Sequence, residues 1–278
     1  MVIAWYTLSI LACGETNPET VVDELRAVVS VASPPEVRPG ESFTFTTYLH
    51  NPEDQPVDML TWLCTDLGEG CFEANGGSQS VVRDTVQGIA PAVTRTLSIT
   101  PALAGILPET GPLTATQIWT LVCEEDTCPI MDEVKNQGAK DTWSDGTAAT
   151  LVDPLSIMSN LPTAGTGMAY QLITTSLNDV GHLNPTIQPA PDNPTFLEKG
   201  EPFSMEFRVS GTLADDAGLY NYITAGGFEM PDTFVNVDDC TVLNGVAPED
   251  ESEVVVWIVL LDGLGGSDVY QQVLEVRE

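Results

Sequence analysis

The stretch "ESFTFTTYLH", residues 41–50, predicts a β-strand with one buried face. In an extended chain, successive residues point to opposite sides. One side carries Phe43, Phe45, Thr47 and Leu49, and the other carries Thr44, Thr46 and Tyr48. A period of two in β-branched and aromatic residues is typical of a half-buried strand. The Pro/Gly cluster "PPEVRPG" just before it predicts a turn.

Further segments of the same character follow along the chain and make an all-β protein the expected fold class. They are "LRAVVSVA" (25–32), "DMLTWLC" (58–64), "TRTLSIT" (94–100), "TQIWTLVC" (116–123) and "GMAYQLITTSL" (167–177).

An internal repeat predicts two related β-sandwich domains in tandem. "RPGESFTFTTYL" (38–49) aligns with "EKGEPFSMEFRV" (198–209) at an offset of 160 residues. Similar strands after similar turns suggest repetition of a whole unit. We expect domain 1 at 25–180, a stiff Pro-rich linker at 181–194 and domain 2 at 195–278.

The end of the second unit, "VVVWIVLLDGLGGSDVYQQVLEV" (254–276), has the pattern of strand, Gly-rich turn and strand. Asp262-Gly263 and Gly265-Gly266 provide the positive φ angles that a tight hairpin needs. This run resembles the last hairpin of bacterial immunoglobulin-like and PKD-like domains, which implies immunoglobulin-like sandwiches.

Residues 124–163 are expected to form an insertion that enlarges domain 1 and is partly helical. "DPLSIMSNL" (153–161) begins with Asp153 as a cap and Pro154 at the first helical position. Trp143 lies in a polar, Gly-containing stretch, where it is either a contact residue of a binding loop or folded back onto its own domain. "PPEVRPGE…TWLC" and "WTLVCEEDTCP…DPLSIMSNLP" together resemble uncharacterised lipoproteins of myxobacteria, which implies fold and location but no activity.

The amino-terminal stretch "LSILACGETNPE" (8–19) passes from apolar to polar at Cys13. Residues 1–12 fit the apolar core of a signal peptide and are too short to span a bilayer. "ILAC" resembles the lipobox of bacterial lipoproteins, which implies lipid attachment at Cys13, a lipidated tether at 13–24 and the outer membrane as location. The missing basic n-region suggests an upstream start, and the alternative is a buried first segment with a core cysteine.

Five further cysteines are expected to pair in an oxidising compartment. We favour two local disulfides, Cys64 with Cys71 and Cys123 with Cys128, because both loops have the length of tight turns. The rival pairing is Cys64 with Cys123 between two sheets. Cys240 is left over and is expected to be a buried free thiol.

Composition and motifs favour a binding protein over an enzyme. The net charge of −32 would repel nucleic acid. The sequence has no signature of a hydrolase, a nucleotide site or a cofactor site. The two histidines, His50 and His182, lie far apart, so no metal site is expected. The expected function is an envelope-anchored, non-catalytic binding, adhesive or structural module for an unknown protein or glycan. The alternative is an envelope enzyme or carbohydrate-active protein with its site in the insertion.

Overall fold

The structure is a computed structural model that describes residues 20–37, 41–64, 81–86, 92–98, 114–124, 166–175, 181–235, 237 and 240–278. The elements within them are β-strands. The first eight are β1 (Arg26–Ser33), β2 (Glu36–Val37), β3 (Ser42–His50), β4 (Val57–Cys64), β5 (Val81–Val86), β6 (Ala92–Ser98), β7 (Thr114–Glu124) and β8 (Thr166–Thr175). The others are β9 (Thr186–Pro189), β10 (Phe196–Glu198), β11 (Pro202–Ser210), β12 (Gly218–Ile223), β13 (Gly227–Phe228), β14 (Asp232–Phe234), β15 (Cys240–Val246), β16 (Glu253–Leu261) and β17 (Ser267–Arg277).

The carboxy-terminal strands form two sheets that enclose one core. The strand orders are β9-β11-β15-β13 and β10-β17-β16-β12-β14, with β10 parallel to β17. In immunoglobulin notation β9, β11 and β15 correspond to A, B and E, and β10, β17, β16 and β12 to A′, G, F and C, which is the immunoglobulin order. β13 takes the place of D beside β15 and β14 that of C′ beside β12, but β13 precedes β14 in the chain, the reverse of the usual C′-then-D order. Met205 and Phe207 of one sheet and Leu219 and Ile258 of the other are fully buried in this core. We call this unit the carboxy-terminal sandwich.

The amino-terminal strands have the same order. Their sheets are β1-β3-β6 and β2-β8-β7-β4-β5, with the short β2 parallel to β8. β3 and β11, which contain the repeated sequence, are therefore the second strand in each unit, and their bounds differ by 160 residues at both ends. In both copies the alternate residues predicted to face inward are buried or partly buried. We call this unit the amino-terminal sheets.

The two units pack side by side through sheet faces. Along β16 the residues Val254, Val256, Ile258 and Leu260 point into the carboxy-terminal core. Trp257 and Val259 point the other way and pack with Val28 and Val29 of β1. Both faces of β16 are therefore covered, which explains why both carry apolar residues. We call this contact the junction.

His182 and Asn184, which lie between the two units in sequence, add polar contacts to the junction. The Asn184 amide donates to the carbonyl of Ala32 at 2.7 Å and accepts from the amide N–H of Ser267 at 3.0 Å. His182 bonds the buried carboxylate of Asp262 through Nε2 at 2.5 Å and also donates its backbone N–H to Glu36. The residues between the two units thus bond to both.

The predicted linker is partly strand. Residues 186–189 of the expected 181–194 linker form β9, which pairs with β11 from Thr186 to Pro189. Proline is compatible with this position because β9 is an edge strand, whose outer side has no neighbouring strand that requires a backbone N–H. The Pro-rich composition therefore marks an edge strand and its following loop rather than a free spacer.

The predicted tether is also shorter than expected. Thr20 and Val22 are almost completely buried, and the N–H of Val22 donates to the carbonyl of Ile223 at 2.9 Å. The hydroxyl of Thr20 accepts the N–H of Phe228 at 3.0 Å. Residues 20–22 are thus fixed to the carboxy-terminal sandwich, and burial of the apolar side chain of Val22 favours this contact over exposure to water.

The register of β4 and β7 excludes the rival disulfide. Asp58 lies opposite Cys123 and Cys64 lies opposite Gln117, so the two cysteines are six residues (64 − 58) apart along one sheet. Six residues span about 20 Å of strand, whereas the Cα atoms of a disulfide lie at most about 7 Å apart. Cys123 is buried and disulfide-bonded, with a partner outside the described side chains. The two local pairs remain predictions.

Burial at the junction makes the stability of the protein dependent on pH. His50 stacks edge-on against Trp257, with ring centroids 5.8 Å apart. Burial holds the pKa of His50 below its ordinary value of 6.5, and the charge of Asp23 acts in the opposite direction. The unfolded chain then binds a proton more readily than the folded one, so His50 lowers stability as the pH falls below about 6.5.

We expect His50→Gln to reduce the loss of melting temperature between pH 7.5 and pH 5.5, because the variant has no imidazole to charge at the junction. Thermal melts of both proteins at the two pH values measure this difference. An equal loss in the wild type and the variant would assign the acid sensitivity to other groups.

Candidate functional site

A groove of about 570 Å³ lies on the outer face of the A-B-E-D sheet of the carboxy-terminal sandwich. Its rim is the loop of residues 190–193, which hydrogen bonds to the backbone of Glu206 hold against β11. The side chain of Asn193 accepts the N–H of Glu206 at 2.7 Å and donates to the carbonyl of Glu206 at 3.0 Å. The N–H of Ala190 donates to the same carbonyl at 2.9 Å. The rim is therefore preorganised.

The floor of the groove combines polar and apolar groups. Ser204, Glu206 and Arg208 project from the outward side of β11, and Val242 projects from β15. The hydroxyl of Ser204 donates to the side chain of Asn244 at 2.8 Å. A cation, a carboxylate and an exposed valine along one strand pair can hydrogen-bond a polar ligand and cover its apolar parts.

The thiol of Cys240 lies beside this groove and is not activated. Cys240 is exposed, which corrects the expectation of a buried thiol, because its side chain falls on the outward face of β15. Its Sγ–H donates to a carboxylate oxygen of Glu206. That hydrogen bond is the main cause that raises the pKa of Cys240, and the guanidinium of Arg208 acts in the opposite direction. A raised thiol pKa disfavours the thiolate that nucleophilic chemistry needs.

We expect Glu206→Gln to speed alkylation of Cys240 by iodoacetamide at pH 8, because loss of the carboxylate lowers the thiol pKa toward its ordinary value. Arg208→Ala should slow the reaction by removing the opposing charge. Cys240→Ser measures the background from other cysteines. Equal rates in the wild type and both variants would show that these two groups do not control the thiol.

Most residues predicted for a site lie outside the described part. Cys13, Cys71, Cys128, Trp143 and the whole insertion core belong to this set, and only the backbone of Cys64 is described. The groove itself was not predicted. Its only sequence signal is the polar side of the strand "PFSMEFRVS", where Ser204, Glu206 and Arg208 alternate with buried residues.

Two other functional features, a metal site and a membrane-spanning helix, are absent from the described residues. Within them, no group of three His, Cys, Asp or Glu side chains is placed to hold a metal ion. In the same part of the chain, no helix has the length and hydrophobicity to cross a membrane.

Comparisons with known proteins give weak structural similarities only. No family model and no curated protein matches the chain. Among solved structures, a chimeric titin Z1Z2-Z1Z2 tandem has 11% identity and a TM-score of 0.29, with 95% of this chain and 100% of that chain covered. The D0-D1 domain of intimin has 9% identity and a TM-score of 0.26, with 89% and 98% covered. Red sea bream transglutaminase has 11% identity and a TM-score of 0.28, and 92% of this chain matches 32% of it.

The chain thus spans about a third of the length of that transglutaminase. At such TM-scores the assignment of an immunoglobulin-like fold rests on the strand order of this chain itself.

Proposed function

We propose that the protein is an envelope lipoprotein with two immunoglobulin-like domains in tandem, which acts as a non-catalytic binding module through the groove on its carboxy-terminal sandwich. The observation that carries the binding role is the preorganised groove, where Arg208 and Glu206 stand beside a thiol whose pKa is raised. Such a site has groups for recognition and lacks an activated nucleophile among its described residues.

The anchor is supported by the lipobox-like "ILAC" ending at Cys13. Acylation of this cysteine would attach the chain to the outer membrane. Thr20, seven residues later, is fixed to the carboxy-terminal sandwich. Seven residues reach about 25 Å at most, so the folded part would lie close to the lipid surface.

The anchor is tested by expression in a Gram-negative host with an upstream start codon and a radioactive fatty acid. Label in the wild type but not in Cys13→Ser, with a mass that fits cleavage before Cys13, is the expected result. Persistence of residues 1–12 without label would refute the anchor and leave the groove proposal standing.

The groove is tested separately by binding of the full chain to isolated envelope glycan, with Arg208→Ala and the matched exposed variant Arg277→Ala. We expect only Arg208→Ala to weaken binding, because Arg277 lies outside the groove and pairs with Glu275 at 2.8 Å. Equal binding by all three proteins would exclude the groove as the glycan site and direct the search to protein partners.

A further inference from the structure

The outer edge of β14 has backbone groups that no described residue bonds. β14 pairs with β12 alone and ends its sheet. The N–H of Asn221 bonds the carbonyl of Pro231 and the N–H of Val235 bonds the carbonyl of Ala217, both at or near 3 Å. Because an antiparallel strand alternates the direction of its backbone groups, Asp232 and Phe234 direct their N–H and C=O groups away from β12. No described residue pairs with this edge.

Large apolar side chains surround the same edge. Phe234 is 76% exposed and Met230 is 60% exposed. Val242 of β15 is 53% exposed, and it lines a small recess together with Met230 and Thr233. Aromatic and aliphatic side chains next to an unpaired strand edge are the features that an added strand uses.

The neighbouring part of this sheet already accepts an added segment. Beyond the end of β14, the next outward group of β12 is the carbonyl of Ile223, which accepts the N–H of Val22. Val21 pairs with Ile223 as a parallel bridge. On this side of the carboxy-terminal sandwich, residues of the chain itself therefore pair with the edge of β12 through one bridge. The outer edge of β14 offers backbone groups of the same kind one strand further out.

The charge of the chain determines what kind of segment fits. Glu229 and Asp232 are exposed at the edge. A second copy of this chain also has a net charge of −32 and would be repelled from this edge. A cationic segment with alternating apolar residues would pair with the backbone, cover Phe234 and Met230, and neutralise the carboxylates.

We propose that β14 is a docking edge for an extended, cationic and apolar segment of a partner protein, which adds as a strand beside Asp232 and Phe234. The proposal does not depend on the lipid anchor, and of the residues that line the groove its recess shares only Val242. It differs from general charge attraction because it needs the outward N–H of Phe234.

The test uses the full chain and two acetylated decapeptides, one alternating Lys and Val and one alternating Glu and Val, in 150 mM salt. We expect the Lys/Val peptide to bind and the Glu/Val peptide to fail. Phe234→Pro removes an outward N–H without removing a bond to β12, and should weaken binding about tenfold. Phe234→Ala keeps that N–H and should lose less. Thermal melts of the variants check folding.

Hydrogen exchange on the wild-type chain decides the question if the proline variant does not fold. Protection of the Asp232 and Phe234 amides on addition of the Lys/Val peptide supports the docking edge. Unchanged exchange at both amides, or equal affinity of a folded Phe234→Pro variant, would overturn it.

Discussion

Trp257→Ala is expected to destabilise the protein by about 3–5 kcal/mol, as for other large aromatic residues removed from a core. The indole of Trp257 is 1% exposed and lies between the carboxy-terminal sandwich and the valines of β1. Its removal leaves a cavity at the junction and takes away the ring on which His50 stacks. Urea denaturation followed by circular dichroism measures the change in the free energy of unfolding.

Trp257→Phe is the matched control for this prediction. The indole N–H of Trp257 has no hydrogen-bond partner among the described residues, so phenylalanine loses volume but no hydrogen bond. We expect it to cost less than Trp257→Ala, because phenylalanine fills part of the space that alanine would leave empty. A loss below about 1 kcal/mol in Trp257→Ala would mean that the junction opens at little cost.

The second large effect is expected at Asp262, whose side chain is completely buried at the start of the last hairpin. One of its carboxylate oxygens accepts the N–H groups of Leu264 at 2.7 Å and Gly266 at 2.8 Å. The other bonds His182 at 2.5 Å. Asp262→Ala leaves these donors without an acceptor and should cost about 3 kcal/mol.

Asp215→Ala is the control for Asp262→Ala, because Asp215 is an exposed acid in the neighbouring loop. It should change the free energy of unfolding by less than about 0.5 kcal/mol. Asp262→Asn keeps one acceptor oxygen for the two backbone donors and is expected to fall between the two. Equal stability of Asp262→Ala and Asp215→Ala in urea denaturation would contradict a structural role for the carboxylate.

Local patterns predicted one turn and nine of the described strands, namely β1, β3, β4, β6, β7, β8, β11, β16 and β17. The other described strands, such as β5, β12 and β15, were not predicted. The bounds of β3 differ from the quoted stretch by one residue. Gly263 and Gly265 have the positive φ angles predicted for the last hairpin, at 73° and 99°. Each of these features depends on residues within about ten positions, which is the range over which sequence periodicity operates.

The junction and the groove were not predicted because each combines residues distant in sequence. Trp257 meets Val29, and Cys240 meets Glu206, only after the sheets have formed. One signal did exist for the junction. The run "VVVWIVLL" is apolar without alternation, which indicates a strand covered on both faces. The only signal for the groove is the polar side of β11, and nothing marks its rim, which two bonds of Asn193 and one of Ala190 hold to Glu206.

The burial of residues 20–22 has a consequence for biosynthesis. Thr20 leaves the ribosome before its partner Phe228, which follows 208 residues later. At 5–20 residues per second this delay is roughly 10–40 seconds. During that time Val22 and Val29 have no face of β16 to cover them. The nascent chain therefore displays an adhesive apolar surface until its last strands emerge, and chaperone binding would protect it in that interval.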